Sequence, residues 1–279
     1  MTKNFLWQDR DKKNYPYPCA PRPECLAMIQ RPPVAALDIG CGSGGVGRAL
    51  RQRFPDCQLW GCEFDGAAAQ QARKYFDHVI EQDVESVDFA ALGLKQPFDL
   101  VCLFDVLEHL FNPWQLLHNL LPRIAGDAHL LVSLPNVGNI ALLHDALRGH
   151  WKYLHAGLLD FTHLRFFTDF DARKMFYQTG YRVLDHRMSL LGQSTAIYNR
   201  HADGPFPAAL TFGGITLQVE SQAHWQRLCA DQNLYLITPH HGQLANQEER
   251  EMASNHYPPV HAFDGSLLTR SLRALHGGL

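Results

Sequence analysis

Asp105, Glu108 and His109 stand at i, i+3 and i+4, a spacing that lets two carboxyl groups and an imidazole project from one side of a helical turn. Groups of these types in one place take a proton from a hydroxyl, hold a cation or cap a helix, and the spacing alone leaves all three uses open. Farther along, Asp160, His163 and Arg165 crowd into one short run. His163 is the best-suited general base, because imidazole titrates near neutrality, and its competing use is a hydrogen bond to Asp160 that fixes a loop. Arg165 suits a substrate carboxylate or phosphate, or an ion pair with Asp160. Around them Trp151, Tyr153, Phe166 and Phe167 either stack on a sugar face or ring, or fill a core. The third constellation is Asp38-Ile39-Gly40-Cys41-Gly42-Ser43-Gly44-Gly45, whose glycines let the backbone turn sharply and approach a ligand. Gly40, Gly42 and Gly45 also satisfy a dinucleotide fingerprint, and Glu63, 23 residues after Gly40, is placed for ribose hydroxyls in either scheme. An aspartate two residues before the first glycine favours a cationic ligand bearing an amino-acid moiety over a pyrophosphate. Asp83 is a further carboxylate at a strand end, suited to accept from an adenine amino group. Cys41, inside the glycine turn, reads as a small spacer and not as a nucleophile.

These groups need a scaffold that brings loop tips together, and the apolar pattern supplies one. Short apolar runs at 34–39, 58–63, 78–80, 98–104 and 129–135 alternate with helical spacing, as after the glycine turn (Val46, Ala49, Leu50, Phe54), over 67–75, and after the Asn112-Pro113 cap. Such alternation predicts a doubly wound, mostly parallel sheet with helices on both faces. The helix begun at Pro113 is expected to run to Gly126. Helix over 169–178 and strands at 181–184 and 234–238 continue the domain, with a loop and hairpin between, including a strand at 215–219. Six prolines in the first 33 residues confine regular structure there to one short helix, about 24–30. The expected organisation is an N-terminal arm or lid (1–33), a main domain (34–240) with an insert over the substrate (136–168), and a polar tail (241–279).

Composition narrows the function. The 279 residues carry 25 basic and 28 acidic side chains, a net charge of −3, without the basic excess that drives nonspecific nucleic-acid binding. A small-molecule substrate is expected, and neither nucleic acid nor membrane as a partner. No apolar run nears the length of a membrane span, and the chain start opens no apolar signal core, so a cytoplasmic protein is expected. Seven cysteines, an odd number with no C-x-x-C pair, predict reduced and mostly buried thiols.

Taken in order, Leu37-Asp38-Ile39-Gly40-Cys41-Gly42-Ser43-Gly44, Gly61-Cys62-Glu63, Gln82-Asp83-Val84 and Asp105-Val106-Leu107-Glu108-His109-Leu110 resemble the motifs of class I S-adenosylmethionine-dependent methyltransferases. The resemblance spans roughly residues 34–185 and implies a seven-stranded sheet with a reversed final hairpin. It also implies that Asp38, Gly40, Gly42 and Gly44 hold the methionine part of the donor and Glu63 its ribose. Phe64 would flank the adenine, Asp83 and Val84 would read its edge, and Asp105 would complete the donor site, with S-adenosylhomocysteine as product. The run 157–168 resembles that of bacterial methyltransferases associated with sugar and cell-envelope metabolism, which implies O-methylation of a small hydroxylated acceptor with His163, Asp105 and His109 as catalytic groups. Asp105, Glu108 and His109 further resemble the metal-binding run of ubiquinone-biosynthesis and small-RNA 2′-O-methyltransferases. Two carboxylates and one imidazole are an incomplete shell for Mg2+, which wants six oxygen-rich ligands, so no resident metal is expected. The competing readings are an NAD-dependent oxidoreductase and a non-catalytic protein that binds adenosylmethionine and acts on a partner.

Overall fold

The computed structural model describes residues 19–255 except 95, 213, 241, 243 and 245. After a four-residue helix α1 (Pro23–Leu26), the chain alternates strand and helix. β1 (Ala35–Ile39) leads to α2 (Gly45–Arg53), β2 (Gln58–Cys62) to α3 (Gly66–Ala72), and β3 (His78–Ile80) to β4 (Phe98–Phe104). Next come α4 (Pro113–Leu120), β5 (Ile124–Pro135), α5 (Ile140–Leu147), α6 (Asp169–Gln178) and β6 (Tyr181–Ser189). A helix α7 (Gly192–Asn199), the hairpin β7 (Ala208–Phe212) and β8 (Ile215–Val219), and α8 (Gln222–Cys229) precede β9 (Gln232–Pro239) and a last helix α9 (Gln247–Ala253).

One sheet takes the order β3-β2-β1-β4-β5-β9-β6, parallel except for β9, which runs antiparallel to both neighbours. β1 pairs parallel with β2 on one side and β4 on the other, so the winding direction reverses between β1 and β4. That reversal opens a crevice beyond their carboxyl ends. The inner strands β1, β4 and β9 are buried on both faces, which is why they read as unbroken apolar runs. Alternate residues feed two cores. Ala36 and Leu100 pack with Val46 and Leu50 of α2 and with Met28, whereas Leu37 and Val101 pack with Leu117 of α4 and Met175 and Phe176 of α6. A third, smaller core gathers Ile140, Ile197, Val219, Trp225 and Cys229 under the hairpin between β6 and β9.

The seven-stranded order with a reversed strand agrees with the sequence reading, and five elements, α4, β6, β9, α9 and α1, differ from it. α4 stops at Leu120 because Pro122 has no N–H to continue it, and a tight turn over Leu121–Arg123 leads into β5, which begins at Ile124. β6 and β9 exceed their apolar cores because each pairs along its length with the other. The segment expected as a polar tail contains α9, whose end is tied to α6 by the buried Lys174 ammonium, which donates to the carbonyls of Glu251, Met252 and Ser254 at 3.3, 3.4 and 2.6 Å. In the arm, α1 is shorter than expected, and residues 1–18 lie outside the described residues, as do 256–279 of the tail. All seven cysteines are free, and only Cys19 is exposed. No helix among the described residues is long and apolar enough to cross a membrane.

Candidate active site

The glycine turn closes the end of β1 against the end of β4. Gly40, Gly42 and Gly44 take φ of 69°, 50° and 88°, a region that costs side-chain-bearing residues energy. At Gly40 a Cβ would also stand 2.7 Å from Cγ2 of Val106. The turn is pinned by Glu63, which is 3% exposed. Its Oε2 accepts from the Gly42 N–H at 3.0 Å and its Oε1 from the Asp65 N–H at 2.9 Å. The Phe64 N–H is a third donor to this carboxylate, which has four acceptor positions. Behind the turn Asp38 is 2% exposed, and its Oδ2 has no hydrogen-bond partner among the described residues. Burial, reinforced by the Glu63 charge, holds the Asp38 pKa well above the usual carboxylate range. Asp38, Gly40, Gly42, Phe104, Asp105 and Arg22 line a cavity of about 150 Å³. Phe64 is 54% exposed, and Asp83 is exposed with Oδ1 capping the short turn Val84–Ser86 through the Glu85 N–H at 3.0 Å.

The sequence reading did not single out Arg22. Its backbone is left-handed (φ 48°) between two prolines, and its guanidinium forms an ion pair with Asp105. It also donates to Ser133 Oγ and Gln232 Oε1, both at 3.1 Å. Asp105 Oδ1 in turn accepts from Ser133 Oγ at 2.8 Å and from Gln232 Nε2 at 2.9 Å. The Asp105 carboxylate, expected among the proton-moving groups, is therefore held by three neighbours and forms a cavity wall. Asp105 itself sits at φ 55°, held there by its N–H bond to Ser133 Oγ at 3.0 Å. Ser133 left a trace in the sequence as the one hydroxyl inside the apolar run of β5. Arg22 and Gln232 left none, since only long-range packing brings them to the site.

Nor do Asp105, Glu108 and His109 share a face. A 3₁₀ turn over Leu107–His109 follows β4, and it buries Glu108 to 1% exposure while His109 turns toward the insert. Both carboxylate oxygens of Glu108 are buried without a hydrogen-bond partner among the described residues, and burial, with the nearby Asp105 charge, raises its pKa well above the usual range. The backbone carbonyl of Glu108 accepts from the N–H groups of Leu164 and Arg165 at 2.8 and 3.0 Å, which stitches the insert to this turn. His163 consequently lies 4.8 Å, ring centre to ring centre, from His109. Its Nδ1 is 3.2 Å from the Leu158 carbonyl, not bonded to Asp160. Asp160 instead accepts from Thr162 Oγ1 at 2.7 Å. His109 Nδ1 faces the carbonyl and hydroxyl oxygens of Thr162 at 3.3 and 3.1 Å. A carbonyl only accepts, so both rings carry their proton on Nδ1 and present a lone pair at Nε2. Burial lowers both imidazole pKa values, which keeps the rings neutral at neutral pH. Arg165 donates to the Phe111 and Leu164 carbonyls, so the expected ion pair with Asp160 does not form.

Residues 37–130 match the model of a family described as a methyltransferase domain. A curated relative, malonyl-[acyl-carrier protein] O-methyltransferase of Geobacter sulfurreducens, is 26% identical over 154 residues, 55% of this chain and 57% of its own length. A viral relative, a methyltransferase of invertebrate iridescent virus 6, is 20% identical over 42% of this chain and 44% of its own length. The chain thus spans about half the length of the curated relatives it matches. Among solved structures, the StiE O-methyltransferase domain has a TM-score of 0.52 at 14% identity, with 84% of this chain and 76% of that chain covered. An O-methyltransferase of a Brevibacillus brevis polyketide synthase, solved with S-adenosyl-L-homocysteine, has a TM-score of 0.51 at 12% identity, covering 79% and 72%. The fold is that of class I methyltransferases. In sequence and fold the chain is similar to S-adenosylmethionine-dependent methyltransferases of that class.

Proposed function

We propose that the protein transfers the methyl group of S-adenosylmethionine to an oxygen of a small hydroxylated acceptor such as a saccharide or comparable metabolite, with S-adenosylhomocysteine as the other product. Asp38 carries this reading. A buried carboxyl with one unpartnered oxygen beside a glycine turn disfavours a pyrophosphate and suits a cationic group, which the ammonium of an amino-acid moiety supplies. The nicotinamide dinucleotide reading is dropped for the same reason.

The geometry supports the other donor contacts of this reading. Gly40, Gly42 and Gly44 keep side chains out of the bend, Glu63 keeps a lone pair for a ribose hydroxyl, and exposed Phe64 and Asp83 with the partly buried Val84 frame the adenine at the open edge. Arg22 brings into the cavity the positive charge that a ligand carboxylate requires. The donor supplies an electrophilic methyl group, so the chain's task is alignment and exclusion of water. The insert over 136–168 acts as the acceptor lid, and residues 34–240 act as the transfer domain. The two neutral imidazoles, His163 and His109, hold lone pairs able to take the acceptor proton, while Asp105 positions Arg22.

Calorimetric titration with S-adenosylhomocysteine and with NAD tests the donor assignment. Heat with the first alone is expected, and heat with NAD alone overturns it. Incubation with methyl-labelled donor and a pool of glycosides tests the acceptor. Label in the saccharide fraction is expected, whereas label confined to added protein moves the acceptor class.

A further inference from the structure

Glu108, His109 and His163 each present one ligand atom within 4.8 Å of the other two. Three independent features make this more than proximity. The Glu108 carboxyl is 1% exposed with both oxygens unpartnered, an arrangement that burial disfavours in a ligand-free site and that a cation relieves. Both imidazoles are oriented from behind, His163 by the Leu158 carbonyl and His109 by Thr162, whose hydroxyl is itself held by Asp160. Such outer hydrogen bonds fix the tautomer that leaves Nε2 free, the usual support of a metal-binding histidine. Finally, the third ligand comes from the insert, which the Glu108 carbonyl clasps through two N–H groups, so ligand placement is built into the chain path.

The donor set does not suit Mg2+. Asp105, the oxygen ligand that the linear run offers, is spent on Arg22, Ser133 and Gln232, and two imidazole nitrogens with one carboxylate depart from the oxygen shell that Mg2+ demands. We infer that Glu108, His109 and His163 form a binding site for a borderline divalent transition-metal cation of the Zn2+, Mn2+ or Fe2+ type, with open positions toward the acceptor. The ligand atoms, within 4.8 Å of one another, stand wider than the ~3.4 Å edge of a tetrahedral zinc shell (about 2.1 Å per bond) and would draw together on a bound ion. Asp105 lies near enough to act electrostatically on all three residues, which places the site against the donor cavity. On the transfer reading, an acceptor hydroxyl bound at an open position loses its proton to water more readily, and His163 serves as ligand in place of base. The ligand assignment itself does not depend on that reading.

The test is metal binding by the untagged full chain after chelator treatment and dialysis. Titration with CoCl2 followed by visible absorption, and with ZnCl2 by calorimetry, should show one tight site per chain, not displaced by millimolar MgCl2. E108Q and H163N should each weaken that site at least 100-fold, more than the 10–100-fold loss typical of outer-shell changes and expected of T162V. H150A, an exposed histidine of the insert, should leave it unchanged. Retained S-adenosylhomocysteine binding shows that the variants fold. Absence of a site tighter than ~100 µM, or equal affinity in wild type, E108Q and H163N, overturns the inference. Failure of the donor titration with cation binding intact overturns only the transfer reading.

Discussion

The Asp38 carboxyl, buried beside Glu63 with one oxygen unpartnered, binds its proton more tightly in the folded protein than in the unfolded chain. The stability it contributes is complete below the unfolded pKa of about 4 and is lost as pH rises through the elevated folded value. D38N removes that loss. The ligand-free variant should therefore unfold at higher denaturant than wild type at neutral pH, while its affinity for S-adenosylhomocysteine drops roughly 10–100-fold, the value of a charge-assisted hydrogen bond. Parallel urea and calorimetric titrations check both signs, and a D38N protein less stable than wild type with unchanged affinity contradicts the assignment. Asp38, Glu63 and the glycines were legible in the sequence because a sharp bend between strand and helix admits few residue types. Arg22 was not legible, because an arginine between prolines looks like any surface residue until β5 and β9 bring Ser133 and Gln232 beside it. The i, i+4 spacing of Asp105 and His109 misled for a local reason. Positive φ at Asp105 and the 3₁₀ turn that follows rotate the side chains out of helical phase.

The elements that position the insert depend on two buried asparagines at its start. Asn136 donates to the Arg227 and Ala230 carbonyls at 3.0 Å, and its Oδ1 accepts from the Gly138 N–H at 3.0 Å. Asn139 caps α5 through the Ala141 N–H at 2.9 Å and donates to the Cys229 and Ala230 carbonyls at 3.0 Å. N139A loses a cap and strands the Cys229 carbonyl, the Ala230 carbonyl keeping its bond from Asn136, so it should cost about 2–4 kcal/mol in urea unfolding. A loss below ~1 kcal/mol would show that the clamp is not needed. The five parallel strands and α6 were readable from apolar runs and helical period. The longer reach of β6 and β9 was not, because their flanking polar residues are recruited by pairing with each other, and α7 and α8 owe their burial to a third core assembled from distant segments. The intended partner of Glu108 is equally a matter of elements, since two turns distant in sequence meet only once the insert folds back.

At the scale of the whole molecule, one polar cluster ties β6, β9 and α6. His186 stacks on Tyr235 at 4.7 Å between ring centres, bonds Asn233 Oδ1 at 3.0 Å and lies 3.7 Å from Asp169, with Arg173 and Asp185 nearby. Burial outweighs the Asp169 charge and lowers the His186 pKa. A lowered imidazole pKa gives stability that is complete above the unfolded value of about 6.5 and is lost as pH falls toward the folded one. His109 and His163 share that sign. These rings pull the denaturation midpoint down between about pH 7 and 5, against the buried Asp38 and Glu108 carboxyls, which pull it up, so H186Q should gain on wild type as pH falls through this interval. An H186Q midpoint that tracks wild type at every pH would contradict the burial of this ring.

The tie between Arg22 and Gln232 has a consequence for dissecting the chain. Residues 37–130, the stretch by which the family is recognised, end inside β5 and hold neither residue. A polypeptide limited to that stretch would keep the glycine bend but lose two groups anchoring its far wall. It would also leave the β5 edge without β9, offering bare amide and carbonyl groups to any passing strand. Recognition and self-sufficiency thus fall on different lengths of this polypeptide, the second reaching from the proline-flanked arginine to the penultimate strand of the sheet.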